Sequence, residues 1–385
     1  MTDHLTIPVL KQLKGYGKSG LNRNIRGYEV GELLKGYTNL IELLPGSDDI
    51  ALCEESSQQH LPLTHKRLKQ FVQHDFDLSP FGVPHGSRIA ILLPNGPELA
   101  LTIVCVVSKY CAAPINLTST WQEIKNELES TKCVAMIIMT GATVNNDSAI
   151  KAADDHGIGV IAIERLGSIT GLFRLKLLKP VSISTTITRS SALTVNGFMA
   201  FDHPETVLLL HTSGTSGNKK LVPYSLDMIV IGVGCIISSW NLSPSDVCLN
   251  MMPLFHIGGI VRNLFAPILS GGSVISCNGF DPLIFWDLLY TSATAADIII
   301  ATDDGVGMDI DTPMYASRPI TWYYASPTMH HAILMEAEIR PTPLPISSIR
   351  FIANAAGGLL PVLARKLKDT FNRAVILTSY GMTEW

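Results

Sequence analysis

His211-Thr-Ser-Gly-Thr-Ser-Gly-Asn-Lys-Lys220 follows an apolar run, Val207 to Leu210, and precedes Leu221-Val-Pro223. Hydroxyl side chains and glycines alternate through it, and lysine closes it. Glycine lets backbone N–H groups approach a polyphosphate closely, hydroxyls donate to phosphate oxygens, and lysine neutralises charge. A strand followed by such a loop suits a phosphate cradle. Gly214 and Gly217 stand too close together for the G-x-x-x-x-G-K-[ST] pattern, so this is a different kind of cradle. Taken alone, the same residues also suit a polar surface turn.

Outward from this stretch, apolar runs alternate with helical patterns. Arg88 to Leu93 reads as a buried strand ended by Pro94-Asn95-Gly96, and Glu98 to Tyr110 as a helix packing its apolar face on a sheet. Leu63 to Phe76 reads as helical with Thr64 as N-cap. Thr120 with Glu123 forms a capping box for a helix over Trp121 to Glu129. Ala135 to Met139 and Val160 to Ile163 are short apolar runs. Residues 167 to 200, rich in Ser and Thr, read as a loose connection. Beyond the loop the expected elements are a helix over Met228 to Trp240, a strand over Val247 to Met251 and a helix over Asn263 to Leu269. A strand over Val274 to Cys277, a helix over Pro282 to Tyr290 and a strand over Ala374 to Leu377 follow. This alternation predicts an α/β fold with largely parallel sheets.

The chain has 385 residues, 46% hydrophobic and 16% charged, enough for a large core in two or three subdomains. A net charge of -4 disfavours a broad basic face, so no nucleic-acid partner is expected. Seven scattered cysteines, none in a C-x-x-C pair, suit a reduced compartment and a cytoplasmic location rather than a disulfide framework or zinc site. The two most apolar windows, Leu99 to Val107 and Met228 to Trp240, are too short for a transmembrane segment. Residues 1 to 50 read as an extension with one helix around Val30 to Leu44. Residues 10 to 26 carry five basic residues and no acid, as transit peptides do, but their glycines argue against an amphipathic helix. Asp303, Asp304, Asp309 and Asp311 do not follow calcium-loop spacing and read as a solvated insertion.

Four segments in order resemble the motifs of the adenylate-forming (AMP-binding) enzymes, which include acyl-CoA synthetases and peptide-synthetase adenylation domains. They are the opening stretch, Met252-Pro-Leu-Phe-His-Ile-Gly-Gly259, Asn354-Ala-Ala-Gly-Gly-Leu-Leu-Pro361 and Ser379-Tyr-Gly-Met-Thr-Glu384. The resemblance runs from about Ala51 to the chain end. It implies an N-terminal adenylate-forming domain of two similar βα-layered subdomains, incomplete at the C-terminus. The implied reaction joins a small carboxylic acid to the α-phosphate of ATP, with Mg²⁺. The acyl group then passes to CoA or a carrier-protein phosphopantetheine.

The resemblance also implies residue roles. Thr212, Ser213, Gly214, Thr215, Ser216, Gly217 and Lys220 hold the β- and γ-phosphates. Ala356, Gly357, Gly358, Ser379, Tyr380 and Gly381 surround adenine and AMP, and Thr383 contacts the AMP phosphate. Glu384, with Thr215, holds the metal. His256, Ala325 and Ser326 shape the acyl pocket, and His256, Lys220 and Thr383 are the catalytic candidates. Without the resemblance, His256 would read as a hydrogen-bonded core histidine. The adjacent His330-His331 is weak evidence for a metal.

Two departures stand out. The family has proline before its lysine and glycine after it, where this chain has Lys219 and Leu221. Lys219 either adds charge or points to solvent, and Leu221 lacks glycine's freedom. The family also continues past the point where this chain stops, with a ribose-binding acid, a hinge and a further lysine. The expectation is therefore a fragment that adenylates poorly by itself. A peptide-synthetase or carboxylic acid reductase module, which needs a carrier domain downstream, is an alternative. A nucleotide-binding relic without catalysis is the rival from another class.

Overall fold

The computed structural model describes residues 39–55, 60–141, 144, 146–181, 206–212, 219–301 and 318–384, with backbone alone over 293–301. The strands are β1 (Ile50–Glu54), β2 (Leu63–Thr64), β3 (Arg88–Leu92), β4 (Cys111–Pro114), β5 (Ala135–Met139), β6 (Gly159–Arg165) and β7 (Phe173–Lys179). They continue as β8 (Thr206–His211), β9 (Leu221–Ser225), β10 (Val247–Asn250), β11 (Ser273–Ser276), β12 (Trp322–Ala325), β13 (Phe351–Asn354) and β14 (Val375–Thr378). Two seven-stranded sheets result, in the orders β7-β6-β5-β3-β4-β8-β9 and β14-β13-β12-β10-β11-β1-β2. Neighbours in both are parallel except at the edges, where β7, β9 and β2 run antiparallel. The two similar subdomains implied by the resemblance are these sheets.

Burial explains the layering. Every residue of β5 is buried, as a parallel strand covered on both faces requires. The helix Pro97–Lys109 is buried on all sides, from Pro97 to Val107. It packs against β3, β4 and β8 of one sheet and β1 of the other, so it lies between the sheets rather than laying one face on one sheet. The central core joins Leu52, Val274 and Trp322 of one sheet to Ile89, Ile91 and Leu208 of the other. A second cluster, with Trp286, Tyr323 and Phe371, lies beneath the helices Pro282–Ala301, Pro327–Ala337 and Pro361–Thr370. A third packs Ile124, Leu128 and Ala152 of the helices Trp121–Thr131 and Asp147–His156 on the other outer face. The result is five layers, helix and sheet alternating.

Local expectations hold where side chains act on their own backbone. Thr64 Oγ1 accepts from Arg67 N, and Thr120 with Glu123 forms the full capping box. The helix after Thr64 runs His65–Gln70 and ends in a π-helical turn, Phe71–Asp75. The loose connection expected over 167–200 is corrected in part, because Phe173–Lys179 forms β7. That edge strand breaks strict alternation and leaves Leu177 and Leu178 exposed, which hid it. The helix expected from Asn263 starts at Gly258 as a π-helix and becomes α-helical at Ala266, because two glycines masked its first turn. The helix expected to end at Tyr290 continues to Ala301.

The helix expected around Val30 to Leu44 is described only as Leu40–Leu43, where Leu40, Leu43 and Leu44 enter the central core. The earlier part, the basic stretch 10–26 and the Asp-rich stretch after Ala301 lie outside the described residues.

All four motifs leave the C-terminal ends of their strands: β8, β10, β13 and β14. Ligands of open α/β sheets bind in crevices at those ends. At the opposite ends, buried Asp246 accepts from Ser243 N, Thr321 Oγ1 and Arg350 Nε at 2.8, 3.0 and 2.6 Å. This ties together the starts of β10, β12 and β13.

Candidate active site

The opening stretch is the connection of an antiparallel hairpin. β8 and β9 pair from Thr206↔Ser225 to His211↔Leu221, and Pro223 is tolerated because β9 is an edge strand. At the mouth, Thr212 N donates to Lys220 O at 2.9 Å and Lys220 N to Thr212 Oγ1 at 3.1 Å. Ser213, Gly214, Thr215, Ser216 and Gly217 lie outside the described residues.

Lys219 neither points freely to solvent nor offers a free charge. Its Nζ lies 2.8 Å from Glu127 Oε1, on the helix capped by Thr120. The other Glu127 oxygen lies 3.6 Å from His211 Nδ1, and His211 Nε2 meets Ser130 Oγ at 2.8 Å. Glu127 is buried. Burial alone would raise its pKa, but the bonds from His211 and Lys219 outweigh that and hold it below the usual 4.5.

Between this cluster and the second motif is a cleft of about 330 Å³, lined by Pro114, Glu123, Glu127, Lys219, Phe255 and His256 among others. It opens at the C-terminal ends of β4 and β8. His256 is exposed at its rim. Its pKa is lowered, first by desolvation where the ring lies against the wall and then by the charge of Lys219. Neutral imidazole can accept a hydrogen bond from a reactant, which imidazolium cannot.

Asn95, at the end of β3, anchors the second motif from the other sheet. Its Nδ2 donates to Cys277 O at 2.9 Å and Met252 O at 3.4 Å, and its Oδ1 accepts from Leu254 N at 3.1 Å. Gly259 must be glycine, because a Cβ there would overlap the Pro253 carbonyl oxygen. Gly259→Ala is expected to destabilise the fold by about 1–3 kcal/mol through overpacking. Urea denaturation followed by circular dichroism checks this.

The third and fourth motifs come together because β13 and β14 are paired neighbours, Asn354 beside Thr378. Ser379 N donates to Asn354 O at 3.0 Å, and Asn354 Nδ2 to Gly357 O at 3.0 Å. Ala356 holds a φ of 59°, unusual for a residue with a side chain, and Ala356, Gly357 and Gly358 present exposed backbone. Tyr380 is 89% exposed, so its ring is free to meet a flat ligand. Tyr224 Oη donates to Thr383 O, and Lys220 Nζ lies 3.6 Å from Glu384 Oε1. The fold thus brings the first and fourth motifs side by side.

Ala325 is buried at the end of β12, and Ser326 Oγ caps the helix Pro327–Ala337 by accepting from Met329 N. Neither lies among the cleft residues. His330 is buried beside Tyr323 Oη at 3.5 Å while His331 is exposed, so the pair faces two directions. Burial lowers the His330 pKa to about 4. Among the described residues no group of three His, Cys, Asp or Glu side chains could hold a metal ion.

Sequence reasoning left Glu127, Asn95 and Arg262 without site roles. Asn95 had a usable signal, standing between proline and glycine where a buried strand ends. Glu127 had none, since its partners lie 84 and 92 residues away.

Two largely parallel sheets with a charged crevice at their carboxyl ends make this an α/β protein of the kind that places its ligand site at strand ends. The chain belongs to the AMP-binding enzyme family, whose model matches residues 78–296. It is 28% identical over 327 residues to a probable CoA ligase, CCL9, of Humulus lupulus, covering 84% of this chain and 54% of that one. It is 27% identical over 329 residues to the oxalate–CoA ligase of Arabidopsis thaliana, covering 84% and 56%. The chain therefore spans about half the length of the curated relatives it matches. In fold it is similar to apo MatB of Rhodopseudomonas palustris, with a TM-score of 0.63 at 18% identity over 90% of this chain and 60% of that one. No helix among the described residues is long and apolar enough to cross a membrane.

Proposed function

We propose that this chain is the nucleotide- and acid-binding portion of an AMP-forming acid–thiol ligase. The observation that carries the reading is the convergence of the first and fourth motifs, with Lys220 Nζ 3.6 Å from Glu384 Oε1 across 164 residues of sequence. Residues 51–385 would form part of the AMP-binding large domain, which also takes in Ile50 of β1 and the helix Leu40–Leu43, whose leucines enter its core.

ATP fits this place. Thr212 and Lys220 at the hairpin mouth would hold its phosphates with Ser213, Gly214, Thr215, Ser216 and Gly217. Ala356, Gly357, Gly358, Ser379, Tyr380 and Gly381 would flank the adenine, and Thr383 the AMP phosphate. Mg²⁺ commonly takes one or two carboxylates and otherwise binds through phosphates and water, which suits Glu384 with Thr215. When bound, that ion would neutralise charge on the phosphates. Lys220 would exchange its contact with Glu384 for a phosphate oxygen, and His256, held neutral, would orient the carboxylate at the cleft rim. Positioning and electrostatics do most of the work in phosphate chemistry.

The acid would be small and held at the rim by His256, and Ala325 and Ser326, which lie outside the cleft, would shape its pocket only from beyond that rim. CoA is the favoured thiol over a carrier-protein phosphopantetheine, because the relatives carry CoA-ligase names. The free thiols, with no disulfide among the described residues, support a cytoplasmic setting.

ATP–pyrophosphate exchange by the protein purified from its native source, with a panel of small carboxylic acids, tests the reading. Acid-dependent exchange is expected, and Lys220→Ala should lower it by about 10²–10³. A protein that binds ATP yet exchanges with no acid would leave a nucleotide-binding protein instead.

A further inference from the structure

Arg262 lies in the π-helical turn Gly258–Phe265 and is only part-buried. Its guanidinium stacks over Tyr324, 5.3 Å from the ring centroid, and Nη1 makes one long bond to Tyr324 Oη at 3.4 Å. Nε is buried without an acceptor. Part-buried Arg340 and Arg350 meet Glu336 and Asp246 at 2.7 and 2.6 Å, and part-buried Arg318 donates instead to Ser273 Oγ and the Pro244 carbonyl. Arg262 meets no carboxylate among the described residues. A cation taken from water needs a counter-charge, and one stacked phenol ring supplies only part of it.

Its position says where that counter-charge comes from. A Cβ on Gly381 would stand 3.3 Å from Nη2, and one on Gly258 would stand 3.5 Å from Nη1. The guanidinium thus sits between the glycines of the second motif and the loop of the fourth, and both glycines leave its fork uncovered by side chains. We propose that Arg262 is an anion anchor of the reacting centre, its planar fork receiving two oxygens of one anionic group. Tyr324 holds the fork flat and in register. The group is a carboxylate of the acid or the phosphate of the adenylate, chemically alike in offering paired oxygens. This rests on the reading of the site as acid-activating, but the binding of simple anions tests it independently.

The experiment uses wild type, Arg262→Gln and Arg262→Lys. Melting is followed with inorganic phosphate, with acetate, and with chloride at matched ionic strength. Phosphate or acetate should stabilise wild type beyond chloride, and Arg262→Gln should lose that shift. Arg262→Lys, which keeps the charge but not the fork, should retain part of it, and it serves if the glutamine variant does not fold.

Affinities for AMP and adenosine, and the exchange KM for the acid, then name the source. Loss of the preference for AMP over adenosine, about tenfold, marks the phosphate. An unchanged preference with a raised KM for the acid marks the carboxylate. An anion shift retained in full by the folded variants, with only a lower melting point, would overturn the anchor and leave a structural clamp. Wild type that responds to anions but shows no exchange would count against the ligase reading and leave the anchor standing.

Discussion

Asp246→Ala is expected to cost about 2–3 kcal/mol of folding stability, as for hydrogen bonds to a buried charge whose arginine partner still reaches water. Asp246 is 3% exposed and stands at the start of β10. Its loss strands the Ser243 amide and takes the carboxylate from the Thr321 hydroxyl and from Arg350 Nε, although Arg350 keeps the Trp240 and Asn241 carbonyls. Those groups join three neighbouring parallel strands at the ends away from the motifs. The urea midpoint should therefore fall steeply while the affinity of the folded protein for AMP stays at the wild-type value. An affinity that falls with the midpoint would mean that strand register at the far end sets the site.

The second large effect belongs to the cleft. Glu127→Gln removes the charge that Lys219 and His211 share, and is expected to cost about 1.5–3 kcal/mol at neutral pH. The pH dependence follows from the depressed Glu127 pKa. A carboxylate ionised more readily in the folded than in the unfolded chain adds stability above its unfolded pKa. That contribution is lost as pH falls through the lower folded value. Stability should thus decline below about pH 4.5, the ordinary glutamate value, and this decline should be shallower in Glu127→Gln. Lys219→Met should also weaken ATP binding, because the hairpin loses its tie to the helix Trp121–Thr131. A double-mutant cycle between positions 127 and 219, read by urea denaturation, checks the coupling. Additive losses would mean that the two side chains act separately.

Part of this protein was legible because the signals are local. The capping box of Thr120 and Glu123, the Thr64 cap and the apolar runs of β3 and β5 act over a few residues, and each appears as expected. The four motifs were legible as a resemblance. The π-helical start at Gly258 and the edge strand β7 were not, because glycines and exposed leucines blur the periodicities on which such readings depend.

Lys219 shows the limit most clearly. Its charge was plain in the chain, but its fate was decided by Glu127, placed beside it by the pairing of β4 with β8. Arg262 gives the complementary case, a charge that meets no carboxylate among the described residues, which becomes visible only once β12 and the fourth motif close around it. The sequence by itself determined the alternating elements, their caps, the parallel sheets and the family. Tertiary structure alone decided which charges are paired with carboxylates and which, among the described residues, are not. Helix and strand signals are spent within a few residues, whereas ion pairing and desolvation depend on distances across chain segments far apart in sequence.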